Sequence, residues 1–359
     1  MKNILLAFGT RPEAIKLMPI IKTLQKLNIC NFKVCVSGQH REMLDQVLRQ
    51  FNIEADYDLN IMTSNQTLSD ITVKILNDFC PILKQEQPDL VLVHGDTTTA
   101  FSVALACFYN KIPVGHVEAG LRTYKMYPYP EEFNRIAIDH ISSLCFAPTS
   151  TAQANLINEG IPQSSVFMTG NTIVDVFKYT LNSKFHHELL EWVEKDKIIL
   201  LTLHRRENLE TVIPKVLKVI LDVVNASNNI KVIYPVHLNP KIKSLVQELF
   251  CDSPNFKCIA PLNVIEFHNI LQTSDLVITD SGGVQEEAVS LKKNLFVVRD
   301  FTERTEISSL PNCKLVSCDE LYSNIIDFFK KEHQSFDYIN PYSDGNASER
   351  IIEILSNHI

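Results

Sequence analysis

The sequence predicts an α/β protein of two doubly wound domains in tandem, and three observations predict it. Short apolar runs rich in Val, Ile and Leu alternate with longer amphipathic stretches, the pattern of parallel strands buried on both faces and joined by crossover helices. The alternation resumes in the second half of the chain. At 359 residues the chain is long enough for about two such domains, each able to bury its own core.

In the first half the strand candidates are Ile4–Phe8, Lys33–Ser37, Leu90–His94, Pro113–Glu118 and Leu144–Ala147. Helical periodicity follows at Ala14–Leu27, Arg41–Phe51, Leu68–Leu83, Thr98–Tyr109, Glu132–Ile141 and Thr151–Glu159. In the second half, strands are expected near Ile198–Leu203, Lys231–Pro235, Phe256–Ala260, Leu276–Thr279 and Leu295–Val298. The seam is placed near Met168–Asn171, where a strand-like SVFMTG (165–170) meets a new helix, which makes residues 1–170 the first domain and 171–340 the second. A last helix, Ser348–Ser356, follows the turn-rich Asn340–Asn346, and the tail 341–359 is expected to pack back on the first domain.

Composition excludes several classes. Hydrophobic residues make up 45% and charged residues 21%, as in an ordinary globular protein. A net charge of −8 argues against nucleic acid as a partner, because such binding draws its affinity from Lys and Arg on phosphates. No apolar run approaches the roughly 18 residues of a membrane span, and MKNILLAFGTRPE lacks the parts of a signal peptide, so a cytoplasmic protein without a membrane partner is expected. The 9 Cys are scattered singly and read as reduced thiols; with the His they form no cluster at ligand spacing, so no metal is expected.

Ligands of open parallel sheets sit beyond the carboxyl ends of the strands. None of the 10 Gly forms Gly-x-Gly, and no Gly-Lys-Ser/Thr occurs, which disfavours a dinucleotide fingerprint and a P-loop. Asp280-Ser281-Gly282-Gly283 precedes a helix, Val284–Ser290, where it is either an anion cradle at the helix N-terminus or a plain capping turn. Glu287, about one turn into that helix, suits a ribose diol in the first case and is a solvated helix residue in the second. Arg11 and Lys16, after the first strand, can face a pyrophosphate or stand as surface charges; His204 and Arg205 offer a further phosphate contact.

Asp96 and Glu118 each follow a buried strand, and their spacing of twenty-two residues is that of one β-α unit, which projects both from neighbouring strands at one end of the sheet. Glu131 and Glu132 open a helix after the loop Tyr127–Pro130, with one expected to point inward and the other to cap. Singly each carboxylate is an anchor. Together, beside cations, they suit acid/base work on a sugar nucleotide.

Taken in order, the loops resemble a known family. GTRPEAIK (9–16), QHREMLDQVL (39–48), HGDTTTAF (94–101), PVGHVEAGLRT (113–123), PEEFNR (130–135), GNT (170–172), LTLHRREN (201–208), PVHLNP (235–240), TDSGGVQEEA (279–288) and RDFTER (299–304) are together similar to the non-hydrolysing bacterial UDP-N-acetylglucosamine 2-epimerases. The resemblance implies two Rossmann-like domains in the manner of GT-B glycosyltransferases, an active site in the cleft between them, and a homodimer. It implies reversible conversion of UDP-GlcNAc and UDP-ManNAc by elimination of UDP to a 2-acetamidoglucal and re-addition, with no cofactor, supplying ManNAc for surface polysaccharide. The chemistry is coherent, since the sugar C2 proton is hardly acidic and the missing nicotinamide fingerprint argues against transient oxidation.

By resemblance, Asp96, Glu118 and Glu131 are the acid/base carboxylates, while Lys16, Arg11 and His204 hold the diphosphate. Ser281, Gly282, Gly283 and Glu287 are UDP contacts, and Arg135 and Phe267 shape the sugar and uracil sides. A second, allosteric UDP-GlcNAc site is implied at Gln39, His40, Gln66 and His237, with Glu42 and Asn65 departing from some relatives. The loop Met126–Pro130 is one residue shorter than the family pattern, Thr305 replaces a usual Pro, and Lys292-Lys293-Asn294 replaces Gly-Lys-Pro. The rival readings are a hydrolysing 2-epimerase, a 2-epimerase of a modified UDP sugar, a glycosyltransferase and a UDP-sugar sensor.

Overall fold

The computed structural model describes the chain except for residues 1, 40, 64–65, 204–207, 209, 237–239, 251–252, 300–303, 332–335 and 359, and describes only the backbone of 240, 241, 243 and 305. The chain divides into two compact units, Met1–Tyr179 with Pro341–Ile359, and Thr180–Asn340.

The first unit contains β1 (Asn3–Phe8), α1 (Arg11–Leu27), β2 (Asn31–Val36), α2 (Arg41–Gln50), β3 (Tyr57–Asp58), α3 (Leu68–Glu86), β4 (Leu90–His94), α4 (Thr98–Tyr109), β5 (Val114–Val117), α5 (Glu131–Ile141), β6 (Leu144–Ala147), α6 (Ser150–Asn158), β7 (Val166–Met168), α7 (Ile173–Thr180) and the tail helix α14 (Ala347–His358). Its strands form one parallel sheet in the order β3-β2-β1-β4-β5-β6-β7. The order reverses between β1 and β4, the kind of switch point where open sheets bind ligands.

Local chemistry explains the helix starts. In α1 the buried Glu13 reaches back to accept the amides of Gly9 (3.0 Å) and Thr10 (2.7 Å). Thr67 and Asp70 form a reciprocal capping box at α3, and Thr97 and Thr149 cap α4 and α6 through their hydroxyls. The core between the sheet and α3/α4 is built from Leu5, Val91, Val93, Ile75, Phe79 and Val103, all essentially buried. Fully buried strands such as β4 carry no polar alternation because both faces are covered.

The second unit contains α8 (Glu188–Val193), β8 (Lys197–Thr202), α9 (Val212–Ala226), β9 (Ile230–Pro235), α10 (Pro240–Phe250), β10 (Phe256–Ile259), α11 (Val264–Thr273), β11 (Leu276–Thr279), α12 (Gly282–Ser290), β12 (Asn294–Val297), β13 (Cys313–Leu315) and α13 (Cys318–Lys330). Its sheet is also parallel, in the order β10-β9-β8-β11-β12-β13. Both units are therefore doubly wound.

The unit boundary falls at the end of α7, nine residues beyond the expected residue 170. The reason is local: α7 is tied to the tail. Asp175 accepts the amides of Ala347 (3.2 Å) and Ser348 (2.8 Å) at the start of α14, and Asn171 N donates to Tyr342 O. With α14 packed on α1, the tail belongs to the first unit. Two short strands, β3 and β13, lie outside the expected set. Among the described residues, no helix is long and apolar enough to cross a membrane.

Candidate active site

The carboxyl end of the first sheet gathers a charged cluster. β4 and β5 are hydrogen-bonded neighbours, so the turn carrying Asp96 and the residue after β5, Glu118, emerge side by side, as their spacing predicts. Glu118 has a φ of +68°, left-handed backbone that costs a non-glycine residue about 1 kcal/mol or more. Its amide and that of Ala119 both donate to Phe146 O at 3.1 Å, which holds the bend against β6.

Four side chains converge on the Glu118 carboxylate. Lys16, from the second turn of α1, forms an ion pair with Oε2, and both side chains are under one-tenth exposed. Arg135 of α5 donates to the Glu118 carbonyl, approaches Oε1 at 3.3 Å and pairs with Asp96 Oδ2, so one guanidinium spans both carboxylates. Asn171 Nδ2 lies 3.4 Å from Oε2 and His94 Nε2 lies 3.7 Å from it. Asn134, beside Arg135, donates to the Asp96 carbonyl at 2.9 Å, so α5 clamps both loops. Burial pushes the His94 imidazole down to about 3, against the pull of Glu118, so the ring is neutral.

A further buried pair supports the cluster. Both ring nitrogens of His116 are engaged, Nδ1 with Asp139 Oδ1 at 2.6 Å and Nε2 with Gly95 O at 2.7 Å. Asp139 also accepts Gly120 N at 3.1 Å and pairs with Arg122 at 2.7 Å. Burial alone would raise the Asp139 carboxyl, yet His116 and Arg122 outweigh it and hold the group below its ordinary value. The loops carrying Asp96 and Glu118 thus share one anchor.

Of the expected residues, Lys16, Asp96, Glu118 and Arg135 come together. Lys16 is buried rather than a surface charge. Arg135 sits between the carboxylates of the first unit, whereas Phe267 lies in the second. Arg11 and Glu131 are half-buried at the first positions of α1 and α5. Glu132 is the inward one of its pair and holds the preceding loop, accepting the amides of Thr123 and Tyr124 at 2.8–3.0 Å. Gln39 accepts from Thr99 Oγ1 at 2.9 Å, and Gln66 accepts from Thr63 N (3.3 Å) and donates to Ile61 O (2.9 Å). His40, Asn65, His204, Arg205 and His237 lie outside the described residues.

In the second unit, Ser281 stands at the N-cap of α12 but makes no capping bond through its side chain, unlike Thr97, Thr149 and Asn263 at their helices. A Cβ built on Gly283 would meet nothing within 4 Å. The first turn of α12 thus has no side-chain cap from Ser281, and there is space beside Gly283. Glu287 is mostly buried, with Oε1 3.5 Å from His268 Nε2 on α11 and Oε2 without a hydrogen-bond partner among the described residues. That is not a solvated helix carboxylate. Its neighbour Glu286 is occupied by Arg304 at 2.9 Å. Phe267 precedes His268 on α11 and is half-buried. Among the described residues, no group of three or more His, Cys, Asp or Glu is placed to hold a metal ion.

His94, His116 and Asn171 are functional residues that sequence reasoning gives no role of their own. Their partners lie on other strands and helices, so nothing in local spacing marks them.

Paired, cation-held carboxylates at the strand ends of the first unit, and in the second a helix N-terminus without a side-chain cap, are the features of a doubly wound α/β enzyme. The chain belongs to the UDP-N-acetylglucosamine 2-epimerase family, whose model matches residues 22–356. It is 46% identical to the UDP-N-acetylglucosamine 2-epimerase of Bacillus subtilis (strain 168), covering 99% of this chain and 95% of that one. A structure of S. aureus MnaA with UDP matches at a TM-score of 0.94 and 41% identity, covering 100% of this chain and 97% of that one. The UDP-GlcNAc 2-epimerase of Neisseria meningitidis, solved bound to UDP-GlcNAc, matches at 0.91 and 42%, covering 99% and 100%.

Proposed function

We propose that this protein interconverts UDP-GlcNAc and UDP-ManNAc without hydrolysis. The observation that carries the reading is the convergence of Lys16, Asp96, Glu118 and Arg135, which places two carboxylates of different exposure, 28% and 6% of the side chain, under one guanidinium. Inversion at C2 needs one group to remove a proton and another to return one on the opposite face, and two carboxylates in unlike surroundings supply that pair. In this scheme Asp96, Glu118 and Glu131 carry out the proton transfers.

The bond from C1 to the diphosphate breaks as the C2 proton leaves, giving 2-acetamidoglucal and UDP; re-addition reverses both changes. Negative charge grows on the departing diphosphate, and Lys16, Arg11 and His204 are the groups assigned to meet it. Ser281, Gly282 and Gly283 offer helix-terminal amides to phosphate, Glu287 takes the ribose, and Phe267 the uracil side. No cofactor is required. Gln39, His40, Gln66 and His237 are assigned to a second UDP-GlcNAc site, so conversion of UDP-ManNAc is expected to accelerate on adding trace UDP-GlcNAc. The enzyme is placed in the cytoplasm, where nucleotide sugars are made, as a homodimer; the exposed Phe108, Tyr109 and Phe133 of α4 and α5 favour association.

Proton NMR of the protein with UDP-GlcNAc in deuterium oxide tests this. A stable mixture of both UDP sugars, deuterated at C2, is the expected result. Accumulation of UDP and free ManNAc would show hydrolysis instead, and an unchanged substrate would overturn the reading.

A further inference from the structure

His94 ends β4 with its ring buried, 4% exposed, and its Nε2 without a hydrogen-bond partner among the described residues. A buried ring nitrogen left without a partner is costly, and such groups are few in folded proteins. Glu118 Oε2 lies 3.7 Å away, just beyond bonding distance. That oxygen is at present engaged by the Lys16 ammonium and approached by Asn171 Nδ2 at 3.4 Å.

We propose that His94 is a positioning residue held in reserve for Glu118, donating from Nε2 to its carboxylate once Lys16 swings to the diphosphate. The inference rests on the function proposed above, in which Lys16 serves two anions in turn: Glu118 in the free enzyme and the phosphates in the complex. When the ammonium leaves, Glu118 loses its strongest partner while still buried. A shift of under about 1 Å brings Nε2–H into bonding range.

The neutrality of the ring is what suits it to this duty. Burial holds the imidazole far below the pH of the reaction, so it donates a hydrogen bond without adding a third positive charge to those of Lys16 and Arg135. A cation in this place would over-stabilise ionised Glu118 and make it a weaker base. The groups facing the ring are Glu118 and His116 from β5 and its end, Lys16 from α1 and Arg135 from α5, and Glu118 alone among them is an anion.

The test compares His94→Gln, which keeps a donor, with His94→Phe, which keeps the ring shape and loses it. In His94→Phe, kcat is expected to fall 10- to 100-fold with KM changing less than threefold, and the acid limb of the kcat profile to move up by about one pH unit. His94→Gln is expected to recover most of kcat. Equal losses in the two variants with an unmoved acid limb would overturn the proposal and leave His94 a packing residue. A readout in wild-type protein needs neither variant nor turnover. The Nε2 proton of 15N-labelled His94 is expected to move downfield by several ppm on adding UDP, and an unmoved signal at saturating UDP would also overturn it. Failure of the functional reading is separable, because it appears as wild-type protein inert toward UDP-GlcNAc.

Discussion

The ammonium of Lys16 and the carboxylate of Glu118, 102 residues apart in the chain, form an ion pair buried at the carboxyl end of the first sheet. Removing one member of a buried pair leaves an uncompensated charge, whereas removing both does not. Lys16→Met is therefore expected to lower stability by about 3 kcal/mol, and Lys16→Met/Glu118→Gln to recover most of that loss. Urea unfolding of the single and double variants checks it. Turnover is expected to fall at least about 100-fold in Lys16→Met, since the developing diphosphate charge loses its partner, and the double variant should not restore it.

Stability at mildly acid pH is expected to depend on His94. Its folded imidazole titrates at about 3 and its unfolded one near 6.5, so the unfolded state binds more protons between those values. The contribution is fully present above pH 6.5 and is lost as pH falls toward 3, with a slope of roughly 1 kcal/mol per pH unit. Denaturant midpoints at pH 5 and pH 7 should converge in His94→Gln relative to wild type. Parallel pH dependence in the two proteins would sink the assignment.

Gly9 is required by close approach rather than by its backbone angle. A Cβ there would lie 2.0 Å from Ser37 Oγ and 2.6 Å from Thr99 Oγ1, two hydroxyls that bond each other at 2.9 Å. Gly9→Ala is expected to cost about 1–3 kcal/mol by overpacking, and to shift the start of α1, where Thr10 and Glu13 set the position of Lys16. Removing the first of these hydroxyls in Gly9→Ala/Ser37→Gly should recover part of the thermal midpoint.

The Asp175 carboxylate caps the start of the tail helix. Asp175→Ala removes the acceptor for Ala347 N and Ser348 N and is expected to lower stability by about 1 kcal/mol, the usual worth of a helix cap. Faster amide exchange confined to the first turn of α14 and to Asn171, whose amide bonds Tyr342 O, is the specific mark of that loss. Unchanged exchange there would show that Asp175 does not hold the start of α14.

The sequence by itself determined both doubly wound sheets, because strands covered on both faces leave apolar runs of strand length that alternate with longer amphipathic stretches. It also determined that Asp96 and Glu118 stand together, since one β-α unit separates neighbouring strands and side chains at their ends share one edge. Strands of two or three residues, β3 and β13, carry too little periodicity to be seen, and the unit boundary followed the bonds of Asp175 and Asn171 to the tail, which no composition shift records. Only the tertiary structure decided that Arg135 spans both carboxylates, that Glu132 holds a loop, that Glu287 is sheltered against His268, and that His94 faces Glu118 without a bond. Each of these depends on atoms brought within a few ångströms from positions 8 to 39 residues apart, and hydrogen bonds and close ion pairs act at that range.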